Sequence, residues 1–389
     1  MDKGTRTKIQ HYGEDYSKFL GAISPPIFEA SNFAFSSYEE VEEHQEGKLK
    51  DKFTYTRGGN PTVRILENKI AMLEKGDACR AFSSGMGAIT ASILSLIKGG
   101  DHIVCLRGVY NPAYEFIDSY LSRFNVSSSF VEGKDLSDIE SAIRPNTRVI
   151  YLESPNSLIF EVFDLREIAR MARERGIYTI IDNTWATPYF QNPIEYGIDV
   201  VVHSASKYLG GHSDVVAGLV ITNKELIKGV SRELNLIGSI IGPFEAWLIL
   251  RGLRSLPSRM ELHQNNAMKV AQYLENHPRV IKVNYPGLPS NPQHQLAISQ
   301  LKGFSGLMSF ELDGGEKELR KFVNNLKLFA IAVSWGGYES LIFPTGRGFP
   351  KDRKDKVKIS PQLLRISVGL EDAEDLIEDL ENAFKKAFN

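Results

Sequence analysis

A lysine within a run of small and hydroxyl residues is the strongest sign of chemistry in this sequence. Lys207 lies in the run from Ser204 to Gly211 (SASKYLGG), and an apolar segment that ends in Asp182 (YTIID) precedes it. Most lysines lie on the surface, so Lys207 alone would indicate nothing more. A lysine that forms a Schiff base and an acid that pairs with a pyridinium nitrogen are, however, what pyridoxal phosphate requires. The pattern therefore predicts an enzyme that uses this cofactor.

The two charged residues would have distinct roles. Lys207 would hold the cofactor and, once a substrate amine displaces it, move the Cα proton, which at neutral pH requires burial or nearby charge to lower its pKa. Asp182 ends an apolar strand, where a carboxylate is costly to bury without a cationic partner, and a protonated pyridine nitrogen would be that partner. The alternative for Asp182 is a cap on the turn through Asn183 and Thr184.

A cradle for the cofactor's phosphate has two candidate parts. The segment SSGMGA, from Ser83 onward, precedes a predicted helix, so the N–H groups of Gly85 and Met86 can point at an anion at the positive end of that helix. Ser204 and Ser206 would add hydroxyl donors. The glycines alone are a weak signal, and they fail the dinucleotide pattern because the last glycine is replaced by Thr90. This failure counts against a nicotinamide enzyme.

Composition narrows the class of protein. The chain has 389 residues, of which 42% are hydrophobic and 24% charged, as is typical of folded soluble proteins. The net charge of −2 argues against nucleic acid as a partner. Two cysteines, Cys79 and Cys105, predict neither a disulfide framework nor a metal site, and favour a reducing cytoplasm. The longest apolar stretch, around Ala88 to Ile97, is too short for a membrane span.

Strands and helices alternate regularly in the first part of the chain. The strand candidates are Ile103 to Leu106, Ser127 to Val131, Val149 to Leu152, Tyr178 to Ile181 and Val200 to His203. The helix candidates are Met86 to Ile97, Ala113 to Phe124, Leu136 to Ile143 and Leu165 to Arg175, after a helical pattern that starts at Pro61. This alternation predicts an α/β fold with a mostly parallel, doubly wound sheet. Ligands of such sheets bind beyond the carboxyl ends of the strands, where Asp182 and Ser204 fall.

The pattern changes after about Gly242. Helix candidates there are Phe244 to Leu253, Arg259 to Asn276, Glu316 to Leu326 and Ala373 to Phe388, and strand candidates are Val280 to Asn284, Gly306 to Leu312 and Leu364 to Val368. They predict a smaller α+β domain. We therefore expect an N-terminal arm (1–51), a cofactor-binding domain (52–242) and a C-terminal domain (243–389).

Several motifs together carry a family resemblance. They are Tyr55 to Thr62 (YTRGGNPT), Ser83 to Met86 (SSGM), Val109 with Tyr110, Ile181 to Trp185 (IDNTW), Ser204 to Tyr208 (SASKY) and Leu364 to Glu371 (LRISVGLE). In this order they resemble the Cys/Met-metabolism family of pyridoxal-phosphate-dependent enzymes, which have the aspartate-aminotransferase-like fold, fold type I. The resemblance runs from about Ile23 to the C-terminus.

The resemblance implies roles that spacing alone does not show. Tyr55 and Arg57 would reach the phosphate of a neighbouring subunit's cofactor, so active sites would be shared within dimers, and we expect a homotetramer built from such dimers. Tyr110 would stack on the pyridine ring and help in proton transfer. Arg365 would hold the α-carboxylate of a small amino-acid substrate, with help from Ser334.

The family performs β-elimination, γ-elimination and γ-replacement on one cofactor, so the fold does not decide the reaction. Trp335, within SWGGYESL, resembles bacterial cystathionine β-lyases, where γ-synthases and γ-lyases usually carry leucine. Pro112 agrees with a β-lyase, and so does the segment from Glu153 to Ser157 (ESPNS), which lacks the Asn-Pro of the γ enzymes. The form of YTRGGNPT, in contrast, is closer to γ-synthases and γ-lyases, and Val333 resembles methionine γ-lyases.

We therefore expect a cytoplasmic carbon–sulfur lyase of transsulfuration and methionine biosynthesis. Its reaction would be the α,β-elimination of cystathionine to homocysteine, pyruvate and ammonia. The alternative is cystathionine γ-synthase, acting on an O-acylhomoserine, followed by methionine γ-lyase and O-acylhomoserine sulfhydrylase. A folded homologue without catalytic activity is the alternative from a different class.

Overall fold

A seven-stranded sheet lies at the centre of the computed structural model, which describes residues 3–49, 51–133, 135–348 and 359–389. Its strands are β1 (Ala78–Phe82), β2 (His102–Leu106), β3 (Ser127–Val131), β4 (Thr147–Glu153), β5 (Tyr178–Asp182), β6 (Val200–Ser204) and β7 (Gly218–Thr222). Their order is β1-β7-β6-β5-β4-β2-β3, and only β7 runs antiparallel to its neighbours. The central strands are buried along almost their whole length, as in sheets covered by helices on both faces. The mostly parallel sheet that the sequence predicts is thus present.

The N-terminal part of the chain also contains the helices that cover this sheet. Their bounds are Thr5–His11, Tyr38–Gln45, Pro61–Glu74, Gly85–Leu94, Asn111–Glu115, Leu136–Ala142, Leu165–Glu174, Thr187–Phe190 and Leu226–Ile237, with 3-10 turns at Tyr16–Phe19, Leu121–Phe124 and Pro193–Tyr196. The predicted helical segment from Ala113 to Phe124 is present, but it is not one α-helix: a π-helical turn, Phe116–Tyr120, separates the α-helical turn from a 3-10 turn. Aromatic side chains recur along this segment, and the rings of Phe116 and Tyr120 stack with their centroids 5.3 Å apart.

A second sheet of five strands follows. It consists of β8 (Val280–Asn284), β9 (Leu307–Leu312), β10 (Ala330–Ile331), β11 (Leu341–Phe343) and β12 (Leu363–Ser367), in the order β10-β11-β12-β9-β8. The helices of this part are Pro243–Glu275, His294–Gln300, Glu316–Asn325, Thr345–Gly348 and Ala373–Phe388. Apart from the short parallel pair β10 and β11, the strands are antiparallel. This agrees with the expected smaller α+β part.

The long helix Pro243–Glu275 corrects a second prediction. The sequence predicts two helices here, Phe244 to Leu253 and Arg259 to Asn276. The gap between them contains Pro257, which lacks an N–H group and is of a type that normally breaks a helix. The structure instead has one helix of 33 residues that contains Pro257. Near this proline the buried Arg259 donates to the carbonyl of Gly252 at 2.9 Å and to that of Tyr208 at 2.8 Å. The first of these bonds lies within the helix, and the second holds the helix against the segment that carries Lys207.

Candidate active site

A cavity of about 800 Å³ lies between the two sheets, beyond the carboxyl ends of β4, β5 and β6. Every site residue predicted from the sequence lines this cavity except Tyr55 and Arg57. Those lining it are Gly85, Met86, Tyr110, Asp182, Ser204, Ser206, Lys207, Ser334 and Arg365. The first sheet contributes residues that follow its strands, and the second contributes Ser334 and Arg365. The position is where doubly wound sheets bind ligands.

Lys207 follows β6 and reaches into the cavity. Its Nζ atom donates to Oγ of Ser334 at 2.9 Å and lies 5.5 Å from the centroid of the Trp335 ring. Burial, together with the positive charge of Arg365, lowers the pKa of Lys207 to about 8, against the opposing effect of Asp182. An appreciable fraction of this amine is therefore neutral and nucleophilic near neutral pH.

Close packing fixes the backbone on which Lys207 sits. Gly336 has a φ of +80°, and a Cβ atom there would lie 2.8 Å from the backbone nitrogen of Tyr208. Both the left-handed conformation and the lack of space require glycine at this position. The loop of Trp335 therefore lies directly against the lysine segment.

Asp182 is the last residue of β5 and is 8% exposed. Its Oδ1 atom accepts hydrogen bonds from the N–H, at 3.0 Å, and the hydroxyl of Thr184. Burial raises the pKa of Asp182, while the two bonds from Thr184 and the charges of His203 and Lys207 oppose this rise. Within the described ranges, no cation lies within ion-pair distance of this carboxylate. A cationic ligand in the cavity would stabilise its charged form.

The helix Gly85–Leu94 begins at the cavity wall. Ser84 caps it, since its hydroxyl accepts the N–H of Gly87 at 3.0 Å. The N–H groups of the first turn lack acceptors within the helix, and the helix dipole favours an anion there. A Cβ atom on Gly85 would lie 3.0 Å from Cβ of Ser204, so a side chain would intrude on the space between this helix end and the lysine loop. This space is suited to a phosphate group.

The two serines of the lysine loop have different surroundings. The N–H of Ser204 donates to the hydroxyl of Thr184 at 2.8 Å, which ties the loop to the residue that also contacts Asp182. The hydroxyl of Ser206 accepts the N–H of Ala217 at 3.0 Å. Ser206 therefore holds the loop closed as well as facing the cavity.

Arg365 reaches the cavity from the second sheet. It lies on β12 between Phe343 and Ser309 of the adjoining strands, and its guanidinium donates to the carbonyl of Val333. Burial lowers the pKa of Arg365 to about 10, which remains well above neutral pH. Within the described part of the chain, no carboxylate forms an ion pair with it. It can therefore bind an incoming carboxylate with a bidentate contact.

Tyr110 lies at the mouth of the cavity with 44% of its surface exposed in this single chain. Burial, and then the charge of Asp182, raises the pKa of its phenol. The backbone N–H of Tyr110 donates to the carboxyl group of Glu153. Glu153 belongs to the motif ESPNS, but the sequence did not predict it as a site residue. Glu153 lines the cavity, and the signal that could have revealed it is the one that revealed Asp182: an acid at the end of an apolar strand.

Tyr55 and Arg57 lie elsewhere on this chain. Tyr55 is 51% exposed, and the guanidinium of Arg57 lies 5.8 Å from the centroid of its ring. Arg57 donates to the carbonyl of Asn235 at 3.2 Å, and neither side chain lines the cavity of its own chain. That they serve the cofactor of a neighbouring subunit stays a prediction.

The described parts of the chain contain neither a metal-binding cluster nor a membrane-spanning helix. Nowhere in these residues do three or more histidine, cysteine or acidic side chains gather in a group that could bind a metal ion. None of the helices in those same residues has the length and apolar character needed to cross a membrane.

The cavity fits pyridoxal phosphate on several independent grounds. It has an amine with a lowered pKa, a buried carboxylate without a cation, an open helix end and an arginine free to bind a carboxylate. With the large sheet and the smaller second sheet, these features define a fold type I pyridoxal-phosphate enzyme. The family model described as "Cys/Met metabolism PLP-dependent enzyme" matches residues 6–385. The chain belongs to this family and is pyridoxal-phosphate dependent.

Similar proteins carry several activities. The chain is 43% identical over 385 residues to the cystathionine gamma-lyase of Bacillus subtilis (strain 168), covering 98% of this chain and 99% of that protein. It is 42% identical over 386 residues to the cystathionine beta-lyase of Lactococcus lactis subsp. cremoris (strain MG1363), with the same coverage. The crystal structure of cystathionine gamma synthase from Xanthomonas oryzae pv. oryzae superposes with a TM-score of 0.94 at 35% identity, covering 100% of this chain and 99% of that one. These similarities show an enzyme of sulfur amino-acid metabolism without selecting one reaction.

Proposed function

We propose that this protein is a carbon–sulfur lyase that performs the α,β-elimination of cystathionine. The observation that carries the proposal is the position of Trp335, whose ring centroid lies 5.5 Å from Nζ of Lys207. Tryptophan at this place resembles the bacterial β-lyases, and the segment from Glu153 to Ser157 supports the same choice.

Pyridoxal phosphate, when bound, supplies an electron sink for the charge that develops on the substrate's Cα. Lys207 provides the amine that would hold it, and Asp182 the anion for its ring nitrogen. The first turn of the helix Gly85–Leu94, with Ser204 and Ser206, would bind the phosphate, and Tyr110 would stack on the ring. These residues would orient the group for reaction.

Arg365 would bind the substrate's α-carboxylate, with Ser334 beside it. This contact would place the Cα–H bond near the Lys207 amine, which accepts the proton as a general base. β-Elimination requires a proton to leave Cα only, whereas γ-elimination also requires proton movement at Cβ. An amine held between the Ser334 hydroxyl and the Trp335 ring has a short reach, which favours the reaction at Cα alone.

The overall reaction is cystathionine plus water giving homocysteine, pyruvate and ammonia. The Cβ–S bond breaks, its electron pair leaves with the homocysteine thiolate, and hydrolysis of the remaining three-carbon fragment releases ammonia. The products contain all atoms of the reactants, and no external oxidant is needed.

The second candidate is γ-replacement, as in a cystathionine γ-synthase. The form of the segment from Tyr55 to Thr62 favours it, because that segment is closer to the γ enzymes. The test is to supply O-acylhomoserine and cysteine and to look for cystathionine. With cystathionine as the substrate, pyruvate and homocysteine support our proposal, whereas 2-oxobutyrate and cysteine contradict it. No turnover of these substrates, of methionine, or of O-acylhomoserine with sulfide would support a folded homologue without catalytic activity.

We also infer the setting in which this enzyme works. We expect Tyr55 and Arg57 to serve the neighbouring subunit within a dimer, and two such dimers to form a homotetramer; the cysteine content favours the cytoplasm. The reaction would supply homocysteine for methionine biosynthesis.

We further propose that the chain is organised as an arm (1–51), a cofactor-binding domain (52–242) and a C-terminal domain (243–389).

A further inference from the structure

Glu153 contacts the backbone of the residue proposed to stack on the cofactor. It is 5% exposed, and its Oε2 atom accepts the N–H of Tyr110 at 2.8 Å. Tyr110 is the N-cap residue of the short helix Asn111–Glu115, and its own side chain makes no capping hydrogen bond. The carboxyl group of Glu153 therefore takes up a backbone N–H at the point where Tyr110 enters the cavity.

The segment around Glu153 also packs against the turn before Tyr110. Gly108 has a φ of +80°, and a Cβ atom there would lie 2.9 Å from Nδ2 of Asn156. The hydroxyl of Ser157 donates to Oε1 of Glu153 and fixes the carboxyl group from its other side. The segment from Glu153 to Ser157 therefore packs against the segment from Gly108 to Tyr110. Within this contact, Glu153 binds the backbone of Tyr110.

The charge of Glu153 is not what this contact needs. Its Cα lies opposite that of Asp182 in the adjoining strands β4 and β5, and two carboxylates this close do not both ionise readily. Burial, and then Asp182, raises the pKa of Glu153 to about 8, against the bonds from Ser157 and Tyr110 and the charge of Arg365. A protonated carboxyl still offers its carbonyl oxygen to an N–H donor.

We propose that Glu153 is a positioning residue that fixes the backbone of Tyr110 and thereby the ring that packs against pyridoxal phosphate. The inference rests on the proposed stacking role of Tyr110, but not on the choice of substrate. It also explains why this chain has an acid at the end of β4, where the cavity already contains Asp182. A protonated Glu153 would keep the hydrogen bond to Tyr110 and leave Asp182 to supply the negative charge for the ring nitrogen.

The test is a double-mutant cycle on cofactor binding. The apoproteins of wild type, Glu153→Ala, Glu153→Gln, Tyr110→Ala and the Glu153→Ala/Tyr110→Ala variant are titrated with pyridoxal phosphate while the visible absorbance and circular dichroism of the bound group are followed. We expect Glu153→Ala to weaken binding about tenfold, as the loss of one buried hydrogen bond implies. Glutamine retains an oxygen acceptor and should keep the affinity within about threefold. The double variant should bind no more weakly than Tyr110→Ala, because Glu153 acts through Tyr110.

Glu67, which does not line the cavity, provides a matched control. It is a buried glutamate that accepts the N–H of Ala81 at 3.1 Å. Glu67→Ala should lower the apoprotein's thermal stability and leave the cofactor's dissociation constant and circular dichroism unchanged. Glu153→Ala should change both the dissociation constant and the circular dichroism of the cofactor.

Additive losses in the double variant would overturn the proposal, since Glu153 would then act independently of Tyr110. A Glu153→Gln variant as weak as Glu153→Ala would overturn it too, because the charge would be what matters. If Glu153→Ala does not fold, the glutamine variant decides by the same criterion. Unchanged binding by Tyr110→Ala would refute the stacking role itself, and with it this inference, while leaving the proposed reaction untouched.

Discussion

The amine of Lys207 and the hydroxyl of Ser334 are joined by a hydrogen bond of 2.9 Å that crosses from the first sheet's lysine loop to the second part of the molecule. The proposed Schiff-base lysine thus depends on both parts for its position. Gly336, packed against Tyr208, keeps the second part close enough for this bond. This bond places the proposed catalytic amine beside Ser334, one of the residues proposed to bind substrate.

The pH dependence of cofactor capture follows from the pKa of Lys207. Burial disfavours the ammonium and lowers this pKa to about 8, so about a tenth of the amine is neutral at pH 7, against well under 0.1% for an ordinary lysine. We expect the rate at which apoprotein captures pyridoxal phosphate to rise with pH, with its midpoint near pH 8, and to level off about one pH unit above that. A simple amine measured alongside corrects for titration of the aldehyde.

The same measurement on Arg365→Leu tests the electrostatic cause. Arg365 lowers the pKa of Lys207, so its removal should move the midpoint upward. A rate that keeps rising towards pH 10 in wild type would show that Lys207 has an ordinary pKa.

Asp182→Asn should separate charge from hydrogen bonding. The amide oxygen can still accept the bonds from Thr184, but the negative charge is lost. We expect kcat to fall about 100-fold, with a smaller change in KM, because the carboxylate acts on charge that develops during reaction. Steady-state kinetics on cofactor-saturated protein measure this, with Asp182→Glu as the variant that keeps the charge. Equal kcat in Asp182→Asn and wild type would remove Asp182 from the mechanism.

Trp335→Leu tests the residue on which the choice of reaction depends. The smaller side chain frees space beside Lys207, so its amine should gain access to Cβ. We expect kcat/KM for pyruvate formation from cystathionine to fall about tenfold, with 2-oxobutyrate formation rising in proportion. Phenylalanine at this position keeps a ring and serves as the matched control. An unchanged product ratio in Trp335→Leu would show that this ring does not select the reaction.

Shared active sites predict complementation between two inactive variants. Lys207→Ala damages the site in its own chain, whereas Arg57→Ala would damage the site of the neighbouring subunit. Random mixing of equal amounts places both lesions in one site of each mixed dimer and leaves the other intact, so about a quarter of wild-type activity should return. The variants are unfolded and refolded together, and each alone is treated in parallel. No recovery in the mixture would argue that each chain binds its cofactor without its neighbour.

Much of the fold could be predicted because periodicity marks buried strands. The bounds of β3, β8 and the helix Ala373–Phe388 were predicted correctly. Strand β1 was missed since Arg80 interrupts its apolar pattern, and only the structure shows Arg80 paired with Glu67 at 3.1 Å. The helix Pro243–Glu275 is predicted as two helices, and the contact of Arg259 with the distant Tyr208 is not visible in the local sequence.

The site could be predicted where local motifs carry it, as at Lys207 and Asp182. Residues whose partners are distant in sequence could not be predicted. His203 is fully buried, and its Nε2 atom lies 2.6 Å from Oε1 of Glu74, more than 100 residues away in sequence. This pair lies beneath the strand end that carries Asp182, and Asn183 also donates to Glu74, at 2.7 Å. No periodicity or motif in one chain relates positions so far apart.

The keto acid that forms from cystathionine tests the central proposal most directly. Cofactor-saturated protein is incubated with cystathionine, and the keto acids and thiols are identified by mass spectrometry, with Lys207→Ala as the inactive control. Cleavage at Cβ predicts pyruvate and homocysteine in equal amounts, absent from the control. Predominant 2-oxobutyrate and cysteine would contradict β-elimination and assign the enzyme to the γ-cleaving reactions of its family.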